Sequence, residues 1–115
     1  MLEFFDRTQG FSVAGKVEKA DTFLTRLQGL LGRKGLPAGH GLWLVPGAMI
    51  HTCFMAFAID AIFLDRGLRV LRVQTLPPWR FSPWVAGAAS VLELPAGAAR
   101  DVKPDDLLEI KGLDA

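Results

Sequence analysis

The chain has 115 residues, with 13 Lys and Arg against 12 Asp and Glu, giving a formal net charge of +1. Half of it is hydrophobic and 22% is charged. That balance excludes a disordered chain, and the lack of any basic run excludes the footprint of a nucleic-acid binder.

The length predicts a single domain, 1–115, able to bury a core without disulfides or metals. Cys53 is the one cysteine, so no intrachain disulfide can form, which fits a reducing compartment. The stretch from Met1 to Phe11 contains Glu3 and Asp6 and lacks the basic-then-apolar order of a secretory signal. The longest apolar run, Met49 to Leu64, is interrupted by His51 and Asp60, and a span needs about 18 apolar residues. The expectations are a cytoplasmic protein with neither membrane nor nucleic acid as partner.

Phe11 to Lys19 alternates apolar and polar residues and predicts a strand, with Gly15 marking a bulge. Asp21 offers an N-cap. Phe23, Leu24, Leu27, Leu30 and Leu31 follow at helical spacing, and Gly32 supplies a stop. Together they predict one long helix over about Thr22 to Leu31. Gly35 to Gly41 reads as a loop, and Leu42 to Val45 as a short strand ended by Pro46 and Gly47. Met49 to Phe57 is apolar without a clean period. Ile59 to Leu64 and Arg69 to Thr75 form a hairpin about the Asp65-Arg66-Gly67 turn, with a bulge or two-sided burial near Val70 and Val73. Pro77, Pro78 and Pro83 hold Trp79, Arg80, Phe81 and Trp84 in an ordered loop. Ser90 to Leu94 is a strand, Ala98 to Val102 a single helical turn, Lys103 to Asp106 a type I turn, and Leu107 to Ile110 the last strand. The fold class that follows is mainly β with one α-helix. It is an antiparallel β-sandwich or half-open barrel capped by that single long helix.

Three stretches carry a family resemblance: Arg26 to Arg33 (RLQGLLGR), Ile50 to Asp65 (IHTCFMAFAIDAIFLD) and Ser90 to Gly97 (SVLELPAG). In this order and spacing the chain resembles the domain-of-unknown-function family 192 from Gly15 to Ile110. Ala58 departs from the pattern, which has proline there, at some cost in loop rigidity. The resemblance implies a compact β-sandwich-like domain of the shorter, signal-free kind. It implies no activity.

The residues themselves offer several constellations. His51, Cys53 and Asp60 invite a nucleophile–base–orienter set. However, side chains two apart on a strand stand roughly 7 Å apart, too far for thiol–imidazole contact. His51 as a loop histidine bonded to backbone is the plainer alternative. His40, His51, Cys53 and Asp60 lack metal-ligand spacing, so neither metal nor cofactor is expected. Asp60, in an apolar strand, must be paired or accept backbone N–H groups. Glu93 faces away from Leu92 and Leu94 by alternation and is expected in solvent. The Trp79–Trp84 loop suits a ligand anion, a planar ring or a peptide. Its alternative role is to close one end of the sandwich, with Arg80 paired to Asp60 or Glu93.

The leading expectation is a non-enzymatic binding module for a small ligand or peptide, using His51, Asp60, Trp79, Arg80 and Trp84. Its groove lies between Met49–Phe57 and the aromatic loop. The alternatives are a small hydrolase or isomerase using His51 and Asp60, and a structural partner subunit. The oligomeric state is left open.

Overall fold

A computed structural model describes residues 1–22, 25, 26 and 29–112. The apolar runs become seven strands: β1 (Leu2–Asp6), β2 (Phe11–Ala20), β3 (His40–Leu44), β4 (Ile59–Leu64), β5 (Val70–Leu76), β6 (Ser90–Pro95) and β7 (Leu108–Gly112). All belong to one sheet, ordered β5-β4-β6-β3-β2-β1-β7. The sheet curls until its two edges nearly meet. The Val70 N–H donates to the Asp106 carbonyl at 2.8 Å and the Leu108 N–H to the Leu68 carbonyl at 2.9 Å. The result is a half-barrel.

The expected architecture is therefore corrected. There is one curled sheet and not a two-layer sandwich, and β2 pairs with β3 in parallel. Among the described residues no long helix caps it. Within the segment predicted helical, Phe23, Leu24, Leu27 and Gln28 lie outside the described residues. Among the described ones only Thr25 and Arg26 are helical, and 29–32 is turn. The reason is local. Gly29 and Gly32 sit at φ 47° and 78°, the left-handed region that ends a helix rather than continuing it. The first turn is capped by Thr22 in place of Asp21: its Oγ1 accepts the Thr25 N–H at 3.1 Å.

Three bulges set the curl, one of them at Val13, which is left over because Phe4 pairs with Ala14 but Phe5 with Ser12. Leu2 pairs with Val17 but Phe4 with Ala14, which leaves Gly15 and Lys16 opposite the single residue Glu3. Phe63 pairs with Arg72 but Leu64 with Val70, so Leu71 is the extra residue in β5. At Lys103–Asp106 the backbone differs from the type I expectation. Asp105 has φ 74°, as the third position of a type II turn requires.

The core lies on both faces of the sheet. Phe4, Val17, Ile62, Leu64, Leu92 and Leu94 fill the concave interior. Ile59, Ala61, Phe63, Val91 and Leu42 face the other way, beneath Leu30, Ile50 and Met55 of the connecting segments. Strand β4 is buried at every position. Here the strands pack tightly enough that β3 tolerates no side chain at Gly41. A Cβ there would lie 2.8 Å from Leu94 Cδ2 and 3.1 Å from the Glu93 carbonyl oxygen. Gly41→Ala is expected to destabilise the domain by about 1–3 kcal/mol through overpacking. Denaturant unfolding of the variant beside the parent measures this.

Candidate functional site

Thr52 organises the aromatic loop. Its hydroxyl is fully buried, donates to the Pro77 carbonyl at 2.6 Å and accepts the Arg80 N–H at 2.9 Å. Its carbonyl accepts the Trp79 N–H at 2.9 Å. Ser82 locks the other side, since the Ile50 N–H donates to its Oγ at 2.9 Å and its own N–H donates to the Ile50 carbonyl. Segments 48–52 and 79–85 are thus tied backbone to backbone. Phe54 and Trp79 are held at φ 65°, a left-handed conformation costing roughly 1–2 kcal/mol for a residue with a Cβ.

Of the expected site residues, His51, Trp79, Arg80 and Trp84 lie on the two tied segments, and Asp60 bonds to none of them. The Asp60 carboxylate accepts N–H groups from Gly97 at 2.9 Å and Ala99 at 3.0 Å, and the Thr75 hydroxyl at 2.6 Å. It is therefore satisfied by a neighbouring loop. The Arg80 guanidinium donates to the Trp79 carbonyl at 3.3 Å. Among the described residues the ion pairs are Arg7–Glu109, Lys19–Asp21, Arg33–Glu18 and Arg100–Asp101, so Arg80 pairs with neither Asp60 nor Glu93. His51 packs against Phe81 with ring centroids 5.8 Å apart, and its Nδ1 accepts the Cys53 backbone N–H at 3.3 Å. The imidazole thus meets the backbone of Cys53. Trp84 is 72% exposed.

A different residue is the focus. Glu93 lies mid-β6, between Leu42 of β3 and Ala61 of β4, and is only 4% exposed. The expectation that it faces solvent is thereby overturned, because both faces of this central strand are covered. Glu93 borders a cavity of about 220 Å³. The buried walls are Leu30, Ile50 and Met55, with Arg26, Met49 and His51 nearer the mouth. Burial pushes its pKa from 4.5 up to about 8, and among the described residues no charge or hydrogen bond offsets that cost. At neutral pH it is a neutral carboxyl group, able to donate one hydrogen bond and accept another. A buried carboxyl with a displaced pKa in a concave apolar site is the usual mark of a functional group.

A second cavity of about 440 Å³ borders Trp43, Leu68 and Ile110, and its ionisable lining residues among those described, Asp65 and Arg66, are not buried. The sequence does carry a sign of Glu93. Val91-Leu92-Glu93-Leu94 is apolar at every other position, and a run without alternation is buried on both faces.

Comparison with known proteins places this geometry in a family. The model of DUF192, described as "Uncharacterized ACR, COG1430", matches residues 5–110. The UPF0127 protein of Pyrococcus horikoshii is 36% identical over 105 residues, which is 87% of this chain and 90% of that protein. That of Pyrococcus abyssi is 40% identical over 95 residues, covering 77% and 79%. Two crystal structures share the fold. One, from Sinorhizobium meliloti 1021 and given as a candidate transcription regulator, has a TM-score of 0.81 at 24% identity, covering 97% of this chain and 93% of that one. The other, a protein of unknown function from Novosphingobium aromaticivorans, has a TM-score of 0.78 at 22% identity, covering 94% and 82%.

Since Asp60 is satisfied by backbone and the Thr75 hydroxyl, while the Arg80 guanidinium meets the Trp79 carbonyl, their contributions to stability are expected to be independent. Asp60→Asn should cost about 1.5–3 kcal/mol through lost charge-assisted hydrogen bonds. Arg80→Ala should stay within about 0.5 kcal/mol of the parent. The double variant should equal the sum, as chemical denaturation of all four proteins will show.

Proposed function

We propose that this chain, which belongs to the DUF192 family, is a binding module for a small, mainly apolar molecule with a hydrogen-bond-accepting end. The observation that carries this is the neutral Glu93 carboxyl beside the apolar walls Leu30, Ile50 and Met55 of a cavity of about 220 Å³. That volume lies below the roughly 300–1,000 Å³ of sites for drug-sized ligands. A compact ligand fits it better than a peptide.

The polar end follows from the charges. A protonated Glu93 donates to a carboxylate or carbonyl oxygen. Arg26 and His51 towards the mouth favour an acceptor or anion and oppose an ammonium group. Leu30, Ile50 and Met55 take the apolar body.

Of the expected ligand residues only His51 reaches this cavity. Asp60 lies on the other face of β4, and Trp79, Arg80 and Trp84 are not among the lining residues. A hydrolase or isomerase built on His51 and Asp60 gains no support, because the Asp60 oxygens already accept three hydrogen bonds. We place the domain in the cytoplasm on the single cysteine, Cys53, which is free.

The test is a thermal-shift and calorimetric screen with carboxylates from butanoate to octanoate, beside the matching amides and amines. Carboxylates and amides are expected to stabilise the protein below pH 8. Because binding requires the proton on Glu93, affinity should fall roughly tenfold per pH unit once the pH exceeds the Glu93 pKa of about 8. Glu93→Gln keeps a donor and should bind without that pH dependence. Preferential binding of the amines, or no shift with any compound, would contradict the assignment.

A further inference from the structure

The face formed by the two tied segments adjoins the mouth of the Glu93 cavity at Met49 and His51, but its aromatic rings lie outside that cavity. Phe54, Trp79, Phe81 and Trp84 are 73, 55, 67 and 72% exposed, and Met49 is 50% exposed. They come from segments joined by the Thr52–Arg80, Ser82–Ile50 and Val85–Ala48 backbone bonds, so they share one end of the molecule. The Phe54 and Trp79 rings touch, with centroids 4.6 Å apart. Both residues are held at positive φ, and prolines stiffen the loop on either side. The fold bears strain to display these rings outward rather than to bury them.

Charge narrows what could cover them. Residues 46–58 and 77–89 contain no Asp or Glu, so all 12 acidic residues lie elsewhere. The one permanent charge in these segments is Arg80, with His51 beside it. Hydroxyl and amide side chains are few: Thr52 and Ser82 are buried and already bonded. A sugar would find stacking planes but, beyond Arg80 and His51, no exposed side chain in these segments to hydrogen-bond its hydroxyls. A basic partner would find no carboxylate. Exposed indoles and phenyl rings with a cation among them instead match the interface of a lipid bilayer. There an amphipathic ring sits at headgroup depth and an Arg meets lipid phosphate.

We propose that this end of the molecule docks on the surface of an anionic membrane, seating Phe54, Trp79, Phe81 and Trp84 in the headgroup layer. Docking of this kind needs no membrane-spanning helix, and among the described residues no helix is long and apolar enough to cross a bilayer. It modifies the expectation that a membrane is not a partner. That expectation followed from the lack of a span and is silent on surface contact.

The chain carries its own reporters, Trp79 and Trp84, while Trp43 packs against Phe4 away from this face. The full chain is mixed with phosphatidylcholine vesicles and with vesicles of equal parts phosphatidylcholine and phosphatidylglycerol. Co-sedimentation and indole emission are then followed. The expected result is blue-shifted emission and co-sedimentation with the mixed vesicles, weakening as salt rises. Arg80→Ser should lower the affinity about fivefold, the worth of one cation at an anionic surface. Trp79→Ser with Trp84→Ser should lower it about tenfold or more, with melting unchanged. If Trp79→Ser destabilises the fold through Phe54, Trp84→Ser alone carries the test. Absence of binding to both vesicles, or binding that these variants leave unchanged, would overturn the proposal. Self-association through the same residues in the absence of lipid would also overturn it, and would assign the face to a second copy of the chain.

Discussion

Two-sided burial of the central strands is the constraint on which the rest of this structure depends. β4 and β6 are buried at essentially every position, so each needs apolar cover on both faces. The curl of the sheet supplies one cover, bringing Phe4, Val17 and Val70 over Ile62 and Leu92. The connecting segments supply the other, laying Leu30, Ile50 and Met55 over Phe63 and Val91. A polar side chain in either strand then has no face on which to meet bulk water.

Two carboxylates fall under that constraint and meet different fates. Asp60, at the start of β4, is reached by the N–H groups of Gly97 and Ala99 and by the Thr75 hydroxyl. Glu93, deeper in the sheet, has no such compensation among the described residues, and burial raises its pKa from 4.5 to about 8. The sign of the consequence is fixed. Below pH 4.5 the group is neutral both folded and unfolded, and burial of its charge costs nothing. From 4.5 to about 8 the unfolded chain releases the proton while the folded one keeps it. Over that window stability declines by roughly 1.4 kcal/mol per pH unit, and above it the loss is complete. A side chain this costly at neutral pH borders a cavity of about 220 Å³, which is the feature the proposed binding role rests on.

The sequence shows the strands better than their surroundings. Ile59 to Leu64 and Ser90 to Leu94 are legible because apolar runs bounded by turns leave few alternatives. Asp65 is legible for the same reason: its Oδ1 accepts the Gly67 and Arg69 N–H groups as a turn aspartate should. β1 is not, because Leu2 to Asp6 becomes a strand only by pairing with both β2 and β7. The Leu27–Leu31 periodicity misleads because positive φ at Gly29 and Gly32 decides the backbone there. Glu93 was hidden by an assumption of alternation that holds for a strand with one wet face and fails for a central one. Asp60 and the aromatic loop stand out in sequence, yet packing joins them to different partners.

The proposed binding site depends on Glu93 being neutral at physiological pH, and a pH titration of its side-chain carboxyl by carbon-13 NMR measures that most directly. Selective labelling and the Glu93→Gln variant assign the signal among the few glutamates. A midpoint near pH 8 is the predicted result. A midpoint near the ordinary 4.5 would mean that the carboxyl is ionised and solvated, and would contradict the reading of this cavity as a site built around a neutral acid.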